Sequence, residues 1–130
     1  MAERPLSPHI TVYRWAYTMT LSILHRASGV ALAVALLGFV AWLVGASLGA
    51  DAYAALLPLL ISLPSKWLLT LAVVALIYHF CNGLRHLAWD MGWGYERADA
   101  RRSAALVVTA TVIAAALCIY FIFGRSAGAA

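Results

Sequence analysis

An all-α membrane protein with three transmembrane helices is predicted by three observations. Hydrophobic residues make up 65% of the 130-residue chain and charged residues 11%, whereas soluble domains run near half and about a quarter. The mean hydropathy is +0.89. The apolar residues are gathered into three long runs, each near the ~20 residues that cross a ~30 Å hydrocarbon core. Three such spans leave almost no extramembrane domain, so any soluble catalytic module has to come from another chain. The net charge of +4 sits at helix ends, which fits loop topology and not nucleic-acid binding.

Residues 1–20, MAERPLSPHITVYRWAYTMT, read as an N-terminal arm at the cytoplasmic interface. Pro5 and Pro8 stop early helix, and Tyr13, Trp15 and Tyr17 are aromatics suited to headgroup level. The arm lacks the apolar core of a signal peptide and the Arg/Ser-rich amphipathic pattern of a transit peptide, so the mature chain is expected to start here. Residues 21–130 form the transmembrane domain. Its first span is expected over about 21–48, with no charge from Val30 to Leu48. Residues 49–65 connect it to the next. Pro58 and Pro64 break this connection, and its apolar middle suits a segment lying in the interface.

Ser65 is the expected cap of a second span over about 65–90. A charged loop follows, MGWGYERADARR, whose glycines end the helix. The third span, about 103–123, is rich in alanine, and small residues let membrane helices approach closely. Cys81 and Cys118, without a CxxC, read as small buried hydrophobes.

Orientation follows from the distribution of Lys and Arg. Arg4, Arg14, Arg26, Arg85, Arg97, Arg101 and Arg102 fall on the side of the N-terminus and second loop, against Lys66 and Arg125 on the other. Seven against two puts the N-terminus in the cytoplasm, or an equivalent compartment, and the C-terminus outside.

Two polar stripes carry the chemistry. His79, Asn82, Gly83, His86 and Asp90 recur at steps of three or four, as do Ser22, His25, Arg26 and Gly29, so each set shares one helix face. The first stripe starts its helix and the other ends its own. Antiparallel spans therefore bring both to the same depth. Polar groups in lipid need a partner in protein, water or cofactor, and bare backbone at Gly83 would let something flat lie between the two imidazoles.

A neutral imidazole is a good haem-iron ligand. His79 and His86 stand about 10.5 Å apart along the axis, too far to bind one iron. His79 lies deeper and takes the iron. His86, His25 and Arg26 suit propionates, since guanidinium meets carboxylate with paired hydrogen bonds. With no CxxCH, the haem would be held non-covalently. On the residues alone three readings stay open: a haem or other redox site, a proton or ion path, and a purely structural anchor.

Arg4-Pro5-Leu6-Ser7-Pro8-His9, Ser22-Ile23-Leu24-His25-Arg26 with Ser28-Gly29, and His79 followed by Gly83-Leu84-Arg85-His86 and Asp90 resemble the cytochrome b556 subunits of succinate dehydrogenase, the larger membrane anchor of respiratory complex II. The blocks keep the family's order and spacing over about two thirds of the chain; the third helix agrees in position only.

The resemblance implies a haem-binding bundle of these three helices with those of a smaller anchor subunit, which supplies the second axial ligand of haem b opposite His79. It implies a ubiquinone site at Ser22, Ile23 and Arg26 and a haem pocket or propionate role for His25, Arg26, Gly83 and His86. It also implies an iron–sulfur subunit and a flavoprotein subunit that oxidises succinate, docked on the cytoplasmic face of a bacterial inner membrane. This chain would carry no succinate-oxidising site of its own. A fumarate reductase anchor, or a haem-free structural anchor, is the alternative.

Overall fold

The computed structural model describes residues 15–124. The part of the arm up to residue 14, and Arg125, lie outside the described residues. Four α-helices follow in order: α1 (Tyr17–Ser47), α2 (Ala50–Leu60), α3 (Leu63–Asp90) and α4 (Arg97–Ile119), the last continuing as a π-helical turn over Tyr120–Gly124. Three of them, Tyr17–Ser47, Leu63–Asp90 and Arg97–Gly124, are long and apolar enough to cross a membrane. The all-α membrane architecture is as the composition predicts.

The boundaries differ from the expected ones in a consistent way. α1 already includes residues 17–20, assigned above to the arm, and α4 begins at Arg97 and not at Ser103. Hydropathy marks the membrane-embedded part of a helix, whereas backbone hydrogen bonding carries each helix past that limit. At about 1.5 Å per residue, α1 is roughly 46 Å long, well beyond the hydrocarbon core.

The connection is also more regular than expected. Gly49, at φ 107, makes the turn after α1, and α2 then runs through Pro58. Pro58 has no N–H to give the Ala54 carbonyl, so α2 forgoes one backbone bond there and ends two residues later. Asp51 in the first turn of α2 complements the positive end of the helix dipole. Gly45 of α1 leaves room for the Leu56 side chain of α2.

The cap of α3 is Ser62, whose Oγ accepts the Ser65 backbone N–H at 3.4 Å. Ser65, the expected cap, lies inside the first turn, and Pro64 fills one of the early positions where no N–H is needed. The far end of α3 closes as a Schellman motif. Trp93 N–H donates to Ala88 O at 2.9 Å and Gly92 N–H to Trp89 O at 2.8 Å, with Gly92 at φ 85, a conformation that favours glycine.

α3 is the central element, packing on α1 on one side and α4 on the other, while α1 and α4 touch little. Both pairs are antiparallel. Ser22 meets His86 and Ser28 meets His79; Arg85 meets Ser103 and Trp67 meets Phe123. The start of α1, the end of α3 and the start of α4 therefore share one end of the bundle, where Tyr17 Oη also donates to Arg101 O at 3.2 Å.

Among the described residues the buried hydrophobics are only Leu21, Ala104 and Val107. Ala104 of α4 is fully buried, and small residues of this kind let membrane helices pack closely. Cys81 and Cys118 are free and half-buried, not buried as expected.

Candidate functional site

The predicted polar stripes meet. His25 of α1 stacks on His79 of α3, with centroids 4.1 Å apart and planes 15° from parallel, and also contacts His86 at 5.1 Å. The flat group that lies against Gly83 is the His25 imidazole itself: a Cβ built on Gly83 would stand 3.5 Å from His25 Nε2. His25 thus bridges two histidines that α3 holds two turns apart.

His79 is oriented by α1. Its Nδ1 lies 3.1 Å from the His25 carbonyl oxygen and 3.0 Å from Ser28 Oγ. Ser28 Oγ in turn donates to the same carbonyl at 2.8 Å. Gly29 makes the approach possible, since a Cβ there would come within 3.0 Å of His79 Cε1. His25 Nε2 is the buried side-chain nitrogen left without a hydrogen bond among the described residues.

The stripe on α1 divides in two. Leu21, His25, Ser28 and Gly29 turn toward α3, whereas Arg26 and Ile23 are exposed and Ser22 is half-buried at the rim. Ser22 Oγ lies 3.4 Å from His86 Nε2, so the serine expected at a quinone site adjoins the histidine expected near a propionate. Arg26 is not drawn into the cluster. Asp90, at the end of the α3 stripe, is also exposed.

Arg85, a topological charge and a member of one matching block in the sequence, is a packing residue of the site. It is buried, and its guanidinium donates from Nε to Ser103 Oγ (3.1 Å), from Nη1 to Asn82 Oδ1 (3.3 Å) and from Nη2 to Ala100 O (3.2 Å). Its Cζ sits 4.0 Å from the Trp89 ring centroid, a cation–π contact. Asn82, fully buried, donates to Leu21 O at 3.4 Å, and Tyr78 Oη donates to the same oxygen at 2.6 Å. A continuous polar belt, from Leu21 O through Asn82 and Arg85 to Ser103, thus ties α1, α3 and α4 together beneath the histidines. The three-residue step from Asn82 to Arg85 is the sequence signal that points to it.

Chemically, the arrangement offers an oriented imidazole, a second imidazole with an unsatisfied nitrogen, a hydroxyl beside a third, and an exposed guanidinium nearby on α1. Such a set can hold a metal-bearing planar group and its carboxylates, and can hydrogen-bond a carbonyl at the rim.

Comparison with known proteins supplies an independent line. The family model for the succinate dehydrogenase/fumarate reductase transmembrane subunit matches residues 1–118. The chain is 39% identical over 119 residues to the mitochondrial succinate dehydrogenase cytochrome b560 subunit of Homo sapiens, covering 86% of this chain and 68% of that one. It is 38% identical over 98 residues to the succinate dehydrogenase cytochrome b556 subunit of Rickettsia prowazekii (strain Madrid E), covering 72% and 73%. It is 36% identical over 123 residues to the cytochrome b556 subunit of Paracoccus denitrificans, covering 93% and 95%.

Proposed function

Because this chain belongs to the succinate dehydrogenase/fumarate reductase transmembrane-subunit family, we propose that it is the cytochrome b membrane anchor of a succinate:quinone oxidoreductase, binding haem b through His79 and lining a ubiquinone-reduction site with Ser22, Ile23 and Arg26. The smaller anchor subunit would supply the other histidine-type ligand of the haem. The iron–sulfur and flavoprotein subunits dock at the end of the bundle where α1 starts, on the cytoplasmic side of a bacterial inner membrane, and the C-terminus is periplasmic.

The residues fit the group. His79 is an imidazole whose Nδ1 is engaged by α1 while its Nε2 has no hydrogen bond among the described residues. His25 Nε2, buried and without a partner, calls for a partner such as a propionate oxygen, and His86 and Arg26 would add further donors at the same end of the bundle. When bound, the haem supplies a one-electron carrier within the bilayer. At the rim, the Ser22 hydroxyl donates to a quinone carbonyl oxygen. The fixed charge of Arg26 favours negative charge on that oxygen, an effect that a low-dielectric site strengthens.

The observation that carries this reading is the convergence of His25, His79 and His86 from two helices at one depth. The test is to purify the complex through this chain in mild detergent and record a reduced-minus-oxidised spectrum. A b-type signal is expected, with flavin and iron–sulfur centres in the same fraction, and it is lost in His79→Ala. A normally assembled His79→Ala complex that keeps its haem would refute the ligand assignment.

A further inference from the structure

Ser28 is one of four buried polar or charged residues among the described ones, with Thr70, Asn82 and Arg85. A helix serine or threonine that bonds a carbonyl three or four residues back is commonplace. Thr70 does only that, donating to Lys66 O at 2.8 Å, and Ser47 near the other end of α1 does the same with Val44 O at 2.7 Å. Ser28 differs from both. Its hydroxyl donates to His25 O at 2.8 Å, and the same oxygen lies 3.0 Å from His79 Nδ1.

The proton positions follow from what each atom can do. The His25 carbonyl only accepts, and it has two lone pairs. It takes the single hydroxyl proton of Ser28, and it also lies 3.1 Å from His79 Nδ1. A contact between that nitrogen and an obligate acceptor requires the proton to be on Nδ1. With its own proton committed to the carbonyl, Ser28 Oγ presents a lone pair and becomes a second acceptor for the same N–H. In a neutral imidazole the other nitrogen is then unprotonated, so His79 Nε2 carries a lone pair.

We propose that Ser28, together with the His25 carbonyl, is the positioning residue of the haem ligand: its oxygen fixes the His79 tautomer and ring plane and makes Nε2 a stronger donor. This rests on His79 being the axial ligand. A ligand imidazole whose far N–H is hydrogen-bonded is more basic, and this class of outer contact tunes both metal affinity and potential. A more basic ligand favours the ferric state. Losing one of the two acceptors therefore raises the haem midpoint potential.

The experiment uses the assembled complex carrying Ser28→Ala, Ser28→Thr, Ser28→Cys or Ser47→Ala, with potentiometric titration of the b-type absorbance and haem content per flavin as readouts. Ser28→Ala is expected to shift the midpoint upward and to weaken haem retention by up to roughly 10–100-fold, the range for outer contacts of a metal ligand. Ser28→Thr, which keeps a hydroxyl, restores both. Ser47→Ala, which removes an equivalent back-bonded hydroxyl away from any histidine, changes neither.

An unchanged potential in Ser28→Ala, with normal haem content, overturns the proposal and leaves Ser28 as an ordinary back-bonded serine. Should Ser28→Ala not assemble, Ser28→Cys decides: it preserves volume with a weaker acceptor, and a potential equal to the parent's overturns the proposal equally. Failure here is separable from failure of the ligand assignment, because the latter shows as haem retained in His79→Ala.

Discussion

At the scale of single residues, the contact between α1 and α3 is set by what Gly29 lacks. A Cβ there would stand 3.0 Å from His79 Cε1, and that ring is held by its stack on His25 and by two contacts at Nδ1. It has little freedom to retreat. Overpacking costs about 1–3 kcal/mol, against a gain of at most ~1 kcal/mol for replacing a helical glycine by alanine. Gly29→Ala is therefore expected to lower the thermal midpoint of the purified complex. Gly38→Ala, where nothing lies within 4 Å, is expected to leave it unchanged or slightly raised, and equal midpoints for the two would show that the helices do not meet as described. Ser22 and Arg26 call for a different readout, since Arg26 is exposed and Ser22 is only half-buried at the rim beside His86. Ser22→Ala or Arg26→Leu is expected to lower quinone reduction by roughly 10-fold or more, in line with the loss of one charge-stabilising donor, while succinate oxidation with a soluble dye persists. Parallel loss of both activities would mean failed assembly and not a damaged quinone site.

At the scale of elements, α3 holds the bundle together through a guanidinium that has no carboxylate beside it among the described residues. Arg85 spreads its charge over three neutral acceptors and the Trp89 ring, an arrangement that suits a planar fork and not a point charge. Lysine cannot address Ser103, Asn82 and Ala100 at once, so Arg85→Lys leaves buried acceptors unpaired and is expected to cost about 1–3 kcal/mol. Arg102→Lys is the comparison. Its side chain is 80% exposed and its ion pair with Asp99 spans 3.6 Å, an exposed type of pair that contributes little. Thermal unfolding followed by tryptophan fluorescence separates the two variants, and an Arg85→Lys complex as stable as the Arg102→Lys one would remove the belt from any structural role.

At the scale of the whole molecule, what could be read in advance divides along physical lines. Three membrane helices were legible because a long uncharged run has no other stable use in this composition; their ends were not, because hydropathy is blind to the charged turns at the start of α4 and to the helical Tyr17–Thr20. The meeting of His25 with His79 and His86 was legible, since a period of 3.6 and antiparallel spans place both stripes at one depth. The split of Ser22 and Arg26 away from His25, and the inward turn of Arg85, depended on helix rotation, which spacing alone leaves undetermined. That rotation also shows what this chain lacks. Buried hydrophobics are limited to three among the described residues, and none of the most apolar window of α1 is buried against the rest of the fold. Among the described residues, neither of the other two histidines opposes His79 as a second ligand would. His25 stacks on its face at 4.1 Å, whereas a coordinate bond leaves the ring edge, and His86 Nε2 is turned to Ser22. The chain produced in membranes without the smaller anchor subunit is therefore expected to bind far less haem than on co-production, with low-spin b-type absorbance appearing only in the latter. A haem of full occupancy and unchanged spectrum on this chain alone would place both axial ligands within it and overturn the two-subunit site.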